Sequence, residues 1–216
     1  MSIKPPIALT FDDGPSEHTP RILDTLLKYD AKASFFVLGK KIASHEAIIK
    51  RAFVAGHEVI SHTWSHCKNP NLSELSADDN RKELNDTRDA LLAVTGCCPY
   101  FFRPPYGAVS HTTKEVSAEL GLAIINWSVD PADWKNQCPD TIFEKIMATI
   151  HNGAIILCHD VYDTTAEAME RVIPVLSQKY ELVTVSELMR RTGITLVAGE
   201  VYENGGKLFI SERSAG

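Results

Sequence analysis

Ile7-Ala8-Leu9-Thr10-Phe11-Asp12-Asp13-Gly14-Pro15 runs an apolar segment of strand length straight into paired carboxylates and a turn. A strand sends neighbouring side chains to opposite faces, so adjacent acids converge on one site only where the chain is leaving the strand. Gly14 and Pro15 supply that departure. Taken alone, the plainer reading is an acidic turn in which Asp12 or Asp13 caps the following helix. Partners elsewhere in the chain reverse that weighting.

Further runs of strand length follow at 34–37, 58–60, 100–102, 123–126, 154–157 and 182–183, and helical periods lie between them. Thr19 to Tyr29 carries Ile22, Leu23, Leu26 and Leu27 on one stripe, and His45 to Ala55 carries Ile48, Ile49, Ala52 and Phe53. Ser76 to Val94 is the longest helix, closed by Gly96, with Leu84, Leu91 and Leu92 facing inward. Thr113 to Leu120, Thr141 to Ile150 and Thr165 to Tyr180 complete the set, the last kinked at Pro174. This alternation predicts an α/β fold with a mainly parallel sheet of about seven strands, closed as a barrel or left open. In either architecture the active groups belong at the carboxyl ends of the strands, and Asp12, Asp13, His62, Arg103, Asp133 and His159 all follow strand candidates. Gly199 to Gly216 reads as a weakly ordered tail.

With 216 residues, 44% of them hydrophobic, the chain suits one large domain. Lys and Arg total 22 against 28 Asp and Glu, a net charge of -6 with no basic run, which argues against nucleic acid as a partner. No segment approaches the roughly 20 apolar residues of a membrane span. Met1 to Pro6 shows no signal-peptide pattern, so the chain is read as cytoplasmic, as an excised domain of a secreted or cell-envelope protein, or as exported by another route. Its five cysteines form an odd number without zinc-ribbon spacing, which excludes a complete disulfide framework, and most are expected as reduced thiols packed as small apolar groups. Cys67 and Cys158 adjoin His66 and His159 but are set aside as metal ligands.

Ser61-His62-Thr63-Trp64-Ser65-His66 places two histidines four apart. On one helical face their Cβ atoms would lie roughly 5 to 6 Å apart, close enough for both to reach one divalent ion. A carboxylate would complete a three-ligand site open to water and substrate, the pattern of a catalytic metal. In Arg103-Pro104-Pro105-Tyr106-Gly107 the prolines stiffen a loop that fixes Arg103 near a strand end, for a two-pronged bond that keeps an acid ionised. Asp130-Pro131-Ala132-Asp133-Trp134 sets an acid beside an aromatic surface, and Trp134 is either a core plug or a platform for a sugar ring. Along Ile155 to Asp160, alternation puts Leu157 and His159 on one side and Cys158 on the other. Paired with Asp133, His159 would stay protonated near neutral pH and deliver a proton to a leaving group, with Leu157 lining an apolar pocket.

These segments together, with Thr10-Phe11-Asp12-Asp13-Gly14-Pro15 first and Leu157-Cys158-His159 last, resemble the five motifs of the polysaccharide deacetylase family. The family is also called the NodB homology domain or carbohydrate esterase family 4. The likeness spans about residues 6–192 in the family's motif order, leaving 193–216 as the C-terminal tail of a single catalytic domain. It implies a distorted (β/α) barrel and deacetylation of N-acetylglucosamine polymers or, in some members, of acetylated xylan. By motif position Asp13, His62 and His66 would bind a divalent metal, zinc first and cobalt second. Asp12 would be the catalytic base, Arg103 would hold Asp12, and Asp133 would hold His159.

The expected chemistry is metal-assisted hydrolysis. Asp12 takes a proton from water, the Tyr106 backbone N–H helps to form an oxyanion hole, and His159 protonates the departing nitrogen. Amide cleavage needs that acid more than ester cleavage does, so the Asp133 and His159 pair favours N-deacetylation of peptidoglycan or chitin oligomers over an acetylxylan esterase. No Gly-x-Ser-x-Gly element supports a serine esterase. A non-catalytic carbohydrate-binding protein would be expected to lack one of these groups, and a cyclic-amide hydrolase to depart from the paired aspartates. The partner is therefore an N-acetylated polysaccharide or oligosaccharide, with the oligomeric state left open.

Overall fold

A parallel strand covered on both faces reads as a continuous apolar run, and Pro6–Asp12 (β1) is buried from Ile7 to its end. The computed structural model describes residues 4–206. After β1 come α1 (Thr19–Lys28), β2 (Ser34–Val37), α2 (Gly39–Ile42), α3 (Glu46–Val54) and β3 (Glu58–Ser61). Then follow α4 (Ala77–Thr95), β4 (Phe101–Phe102), α5 (His111–Glu119), β5 (Ala123–Ile125), α6 (Pro139–Thr149) and β6 (Ile155–His159). The described chain closes with α7 (Asp163–Lys179), β7 (Glu181–Val183), α8 (Val185–Thr192) and β8 (Val201–Tyr202).

The strands pair in parallel in the order β6-β1-β2-β3-β4-β5-β8. The first half of β1, Pro6 to Ala8, pairs with β7, whereas Thr10 to Asp12 pair with β2. Isolated bridges from Val129 to Ile156 and from Asn204 to Ala154 bring the far side of the sheet back to β6. The sheet is thereby curled into the expected distorted barrel. Register sets Asp12 opposite His159 on one side and Phe36 on the other, so the catalytic candidates share one rim.

Alternation along β1 sorts the core. Ile7, Leu9 and Phe11 pack outward with residues of α1, α3, α6 and α7, whereas Ala8 joins Phe36, Ile60, Phe101 and Leu188 inside the curl. Asp12, in step with Ala8 and Thr10, therefore faces the interior.

Several expectations are corrected. Leu27 is 68% exposed and Leu92 45% exposed, because each lies one residue beyond the buried stripe of its helix. Leu84 and Leu91, seven apart, carry the buried face of α4. The expected weakly ordered tail begins instead with structure: Val201–Tyr202 is a strand paired with β5, and residues 207–216 lie outside those described. The short helix α2 has too few apolar residues to show a period, whereas α8, absent from the helices expected above, carries Val185, Leu188 and Met189 at i, i+3 and i+4 directly after β7. Only Cys158 is buried, whereas Cys97, Cys98 and Cys138 are exposed thiols. No helix of the described residues is long and apolar enough to cross a membrane.

Candidate active site and metal centre

Asp12 is the last residue of β1, and Asp13 turns the chain with a φ of 70°. A left-handed residue interrupts the alternation of the strand, which is how neighbouring carboxylates come to line one cavity. The turn is held from outside: Lys41 Nζ donates to the Asp13 carbonyl at 2.8 Å, and the Leu38 N–H donates to the Gly14 carbonyl at 3.0 Å. A Cβ on Gly14 would lie 2.2 Å from Asp160 Oδ1, so the backbone packs where no other residue fits.

The histidines are brought together by a loop rather than by the helical face expected from their spacing. Thr63 and His66 have φ of 65° and 52°, and the segment after β3 forms bends, with the imidazole centroids 5.1 Å apart. His62 is buried, and its Nδ1 donates to the Arg103 carbonyl at 2.8 Å, leaving the Nε2 lone pair directed at the cavity. Burial, together with the charges of His66 and Arg103, pushes His62 down to about 3 against the pull of Asp13, so the ring is a neutral donor.

Asp13 Oδ1 lies 3.4 Å from His62 Nε2 and 3.4 Å from His66 Nε2, and it is buried without a hydrogen-bond partner. Ligand atoms about 2.0 to 2.1 Å from a tetrahedral ion stand roughly 3.3 to 3.4 Å apart. An orphaned carboxylate oxygen and two imidazole nitrogens at this spacing fit a divalent cation.

Arg103 is wholly buried and spends its donors on four groups. Nη1 donates to Asp12 Oδ1 and to Thr10 Oγ1, each at 2.7 Å, while Nε and Nη2 donate to the Ile125 and Asn126 carbonyls. The bond to the acid is single rather than two-pronged, because the other prong is used on the main chain after β5. The Arg103 guanidinium also lies 4.1 Å above the Phe36 ring. Burial raises Asp12 from its ordinary value despite the opposing effect of Arg103 and His159. Arg103 therefore limits that rise instead of lowering the acid, and a raised carboxylate is the stronger base.

Asp133 is buried and saturated. Its carboxylate accepts from His159 Nδ1 at 2.8 Å, from the His159 and Trp134 N–H groups at 2.7 and 2.9 Å, and from Thr165 Oγ1 at 2.8 Å. Burial pushes His159 down, but the hydrogen bond and charge of Asp133, with Asp12 and Asp13 behind it, bring it up to about 9. The ring is an imidazolium at neutral pH.

Asp12, Asp13, His62, His66 and His159 share a cavity of about 500 Å³ that also takes in Tyr106, Trp134 and Leu157, while Arg103 and Asp133 are buried behind it. Leu157 faces the cavity as alternation predicts, while Cys158 is in the core behind it. Trp134, 52% exposed, is at the rim rather than a core plug, and Tyr106, 54% exposed and at a φ of 61°, lines the same cavity. Trp127 and Tyr162 line the same cavity without having been singled out, and so does Asp130, quoted above only as the start of a motif. Asp130 belongs to the segment already marked by Asp133 and Trp127 precedes it by three residues, whereas nothing local distinguishes Tyr162. The buried Asp160 was also passed over; burial raises it to about 7 against its bond from Thr19 and the charge of Lys41.

Comparison with known proteins adds the lineage. The family model for polysaccharide deacetylase matches residues 2–125. The peptidoglycan-N-acetylglucosamine deacetylase of Listeria monocytogenes is 44% identical over 184 residues, which cover 84% of this chain and 38% of that protein. The chain thus spans well under half the length of that relative. The chitooligosaccharide deacetylase of a Bradyrhizobium species is 36% identical, over 80% of this chain and 85% of its own. Among solved structures, a family 4 acetyl xylan esterase from Clostridium thermocellum, in complex with a cobalt ion, superposes with a TM-score of 0.85 at 34% identity, covering 92% of this chain and 98% of its own.

Proposed function

The chain belongs to the polysaccharide deacetylase family, and from that premise we propose that it is a metal-dependent hydrolase removing N-acetyl groups from N-acetylglucosamine-containing glycans, peptidoglycan or chitin oligomers. The observation that carries this reading is the position of Asp12, which faces the Asp13, His62 and His66 donors on one side and pairs in register with His159 on the other. A base, a cation site and an acid thus surround one cavity.

Asp13, His62 and His66 would hold the ion, and zinc suits their nitrogen-rich donor set. When bound, a divalent ion polarises the acetyl carbonyl and acidifies the attacking water. Asp12 takes the proton of that water as its oxygen bonds to the acetyl carbon. Arg103 keeps the Asp12 carboxylate in place, and the backbone N–H of Tyr106 donates to the oxygen on which negative charge develops. His159, oriented by Asp133, gives its proton to the nitrogen as the carbon–nitrogen bond breaks, leaving free amine and acetate. Leu157 and Trp134 offer apolar surface to the acetyl group and the sugar ring.

An acetylxylan esterase remains the second reading, favoured by the likeness to the C. thermocellum enzyme. Acetate release from chitin oligomers, peptidoglycan and acetylxylan, compared for metal-free, zinc-loaded and Asp12→Asn protein, separates the readings. Release only from acetylxylan would transfer the assignment to the esterase. No release from any substrate by the loaded protein would favour a non-catalytic carbohydrate binder, and full activity of the Asn variant would remove Asp12 as base.

A further inference from the structure

On the metal-site reading above, we propose that Glu83 is a positioning residue that holds the loop from His62 to His66 in its ion-binding form. Glu83 lies on α4, half-buried and outside every motif of the sequence. Its Oε2 accepts from the backbone N–H groups of Trp64 at 2.9 Å and Ser65 at 2.8 Å, and its Oε1 accepts from Ser65 Oγ at 2.7 Å. These are the two residues immediately before His66.

The carbonyls of the same loop are taken from the opposite side. Thr63 O accepts from the Gly39 N–H at 3.0 Å, Trp64 O from the Lys40 N–H at 3.1 Å, and Ser65 O from Lys40 Nζ at 2.8 Å. The loop is therefore clamped, its amides on α4 and its carbonyls on α2. Trp64 closes the clamp, since a Cβ on Gly39 would lie 2.3 Å from its Cε3.

The clamp matters because the loop is strained and one of its histidines is otherwise unguided. Thr63 and His66 occupy the left-handed region, with φ of 65° and 52°, which surrounding structure must hold for residues with a Cβ. The His62 ring is oriented by its bond to the Arg103 carbonyl. Among the described residues no hydrogen bond orients the His66 ring, which has the Asp13 oxygen at 3.4 Å, the Tyr106 ring edge-on at 4.9 Å and the His62 ring tilted at 5.1 Å. His66 is placed by its backbone, and Glu83 fixes that backbone.

What Glu83 supplies is acceptors rather than charge. In Glu83→Gln the amide oxygen can face both N–H groups while the amide nitrogen donates to Ser65 Oγ, whereas Glu83→Ala leaves both amides without an acceptor. The test is Co(II) titration of the purified chain, read by visible absorption and by competition with a chromophoric chelator. Glu83→Ala should bind Co(II) roughly 10- to 100-fold more weakly than wild type with an altered absorption band, and Glu83→Gln should recover affinity. Equal affinity in wild type and Glu83→Ala overturns the proposal. Should circular dichroism show Glu83→Ala unfolded, Ser65→Ala takes its place, a several-fold weakening supporting the clamp and unchanged affinity overturning it. His62→Ala separates this from the underlying reading: if it binds Co(II) as wild type does, the metal site itself is wrong and the proposal falls with it.

Discussion

Replacing Asp133 by Asn should move the basic limb of the pH–rate profile toward neutrality. Asn can still accept from Thr165 and the His159 N–H but carries no charge. In the wild type, burial pulls the His159 imidazolium down while the 2.8 Å bond and the charge of Asp133 raise it to about 9. Removing an opposite charge at that range lowers a pKa by roughly 1 to 3 units. With a shift of about 2 units the protonated fraction at pH 8 falls from about nine-tenths to about one-tenth, so kcat at that pH drops roughly tenfold from ionisation alone. At pH 6 the ionisation loss should nearly vanish.

The same pair bears on stability. His159 rises from 6.5 unfolded to about 9 folded, which at about 1.4 kcal/mol per unit contributes on the order of 3 kcal/mol. Because the folded value is the higher, that contribution is complete below about pH 6.5 and lost as pH rises through about 9. Urea unfolding of wild type and variant should therefore diverge in mild acid and converge above pH 9. A basic limb that stays where it was, with rates reduced equally at every pH, would refute the electrostatic account and leave Asp133 as a loop anchor.

Arg103→Met should destabilise the fold by roughly 3 to 5 kcal/mol, because Asp12 and the Ile125 and Asn126 carbonyls lose a buried partner; a loss below about 1 kcal/mol in chemical unfolding would show the pair to be dispensable. Asp160→Asn should remove a pH dependence. The wild-type carboxyl rises from 3.8 to about 7 on burial, so folded-state stability declines as pH climbs between those values. The Asn variant of the metal-free protein should gain up to about 4 kcal/mol over wild type at pH 8 and little at pH 4, and equal curves at pH 8 would count against a buried neutral acid. Gly14→Ala, whose Cβ would lie 2.2 Å from Asp160 Oδ1, should cost roughly 1 to 3 kcal/mol of stability and displace Asp13; unchanged thermal unfolding and unchanged Co(II) affinity would show that the turn can give way.

Local sequence determined the elements and the chemical repertoire. Continuous apolar runs marked β1, β2 and β6 because both faces of those strands are covered, and each reactive residue was legible because it follows such a run. Leu157 and His159 could be assigned one face from alternation alone. Tertiary structure decided how those groups meet. Asp13, Thr63, His66 and Tyr106, along with Ala132 beside Asp133, are non-glycine residues at positive φ, a conformation uncommon for any residue with a Cβ and here held by packing. Hence four-residue spacing suggested a helix where a clamped loop is found. Glu83 and Asp160 went unread for the same reason: the groups they touch lie 18 to 19 and 141 residues away in the chain. Burial, likewise a property of the fold, raised Asp12 where its charge partner alone would have lowered it.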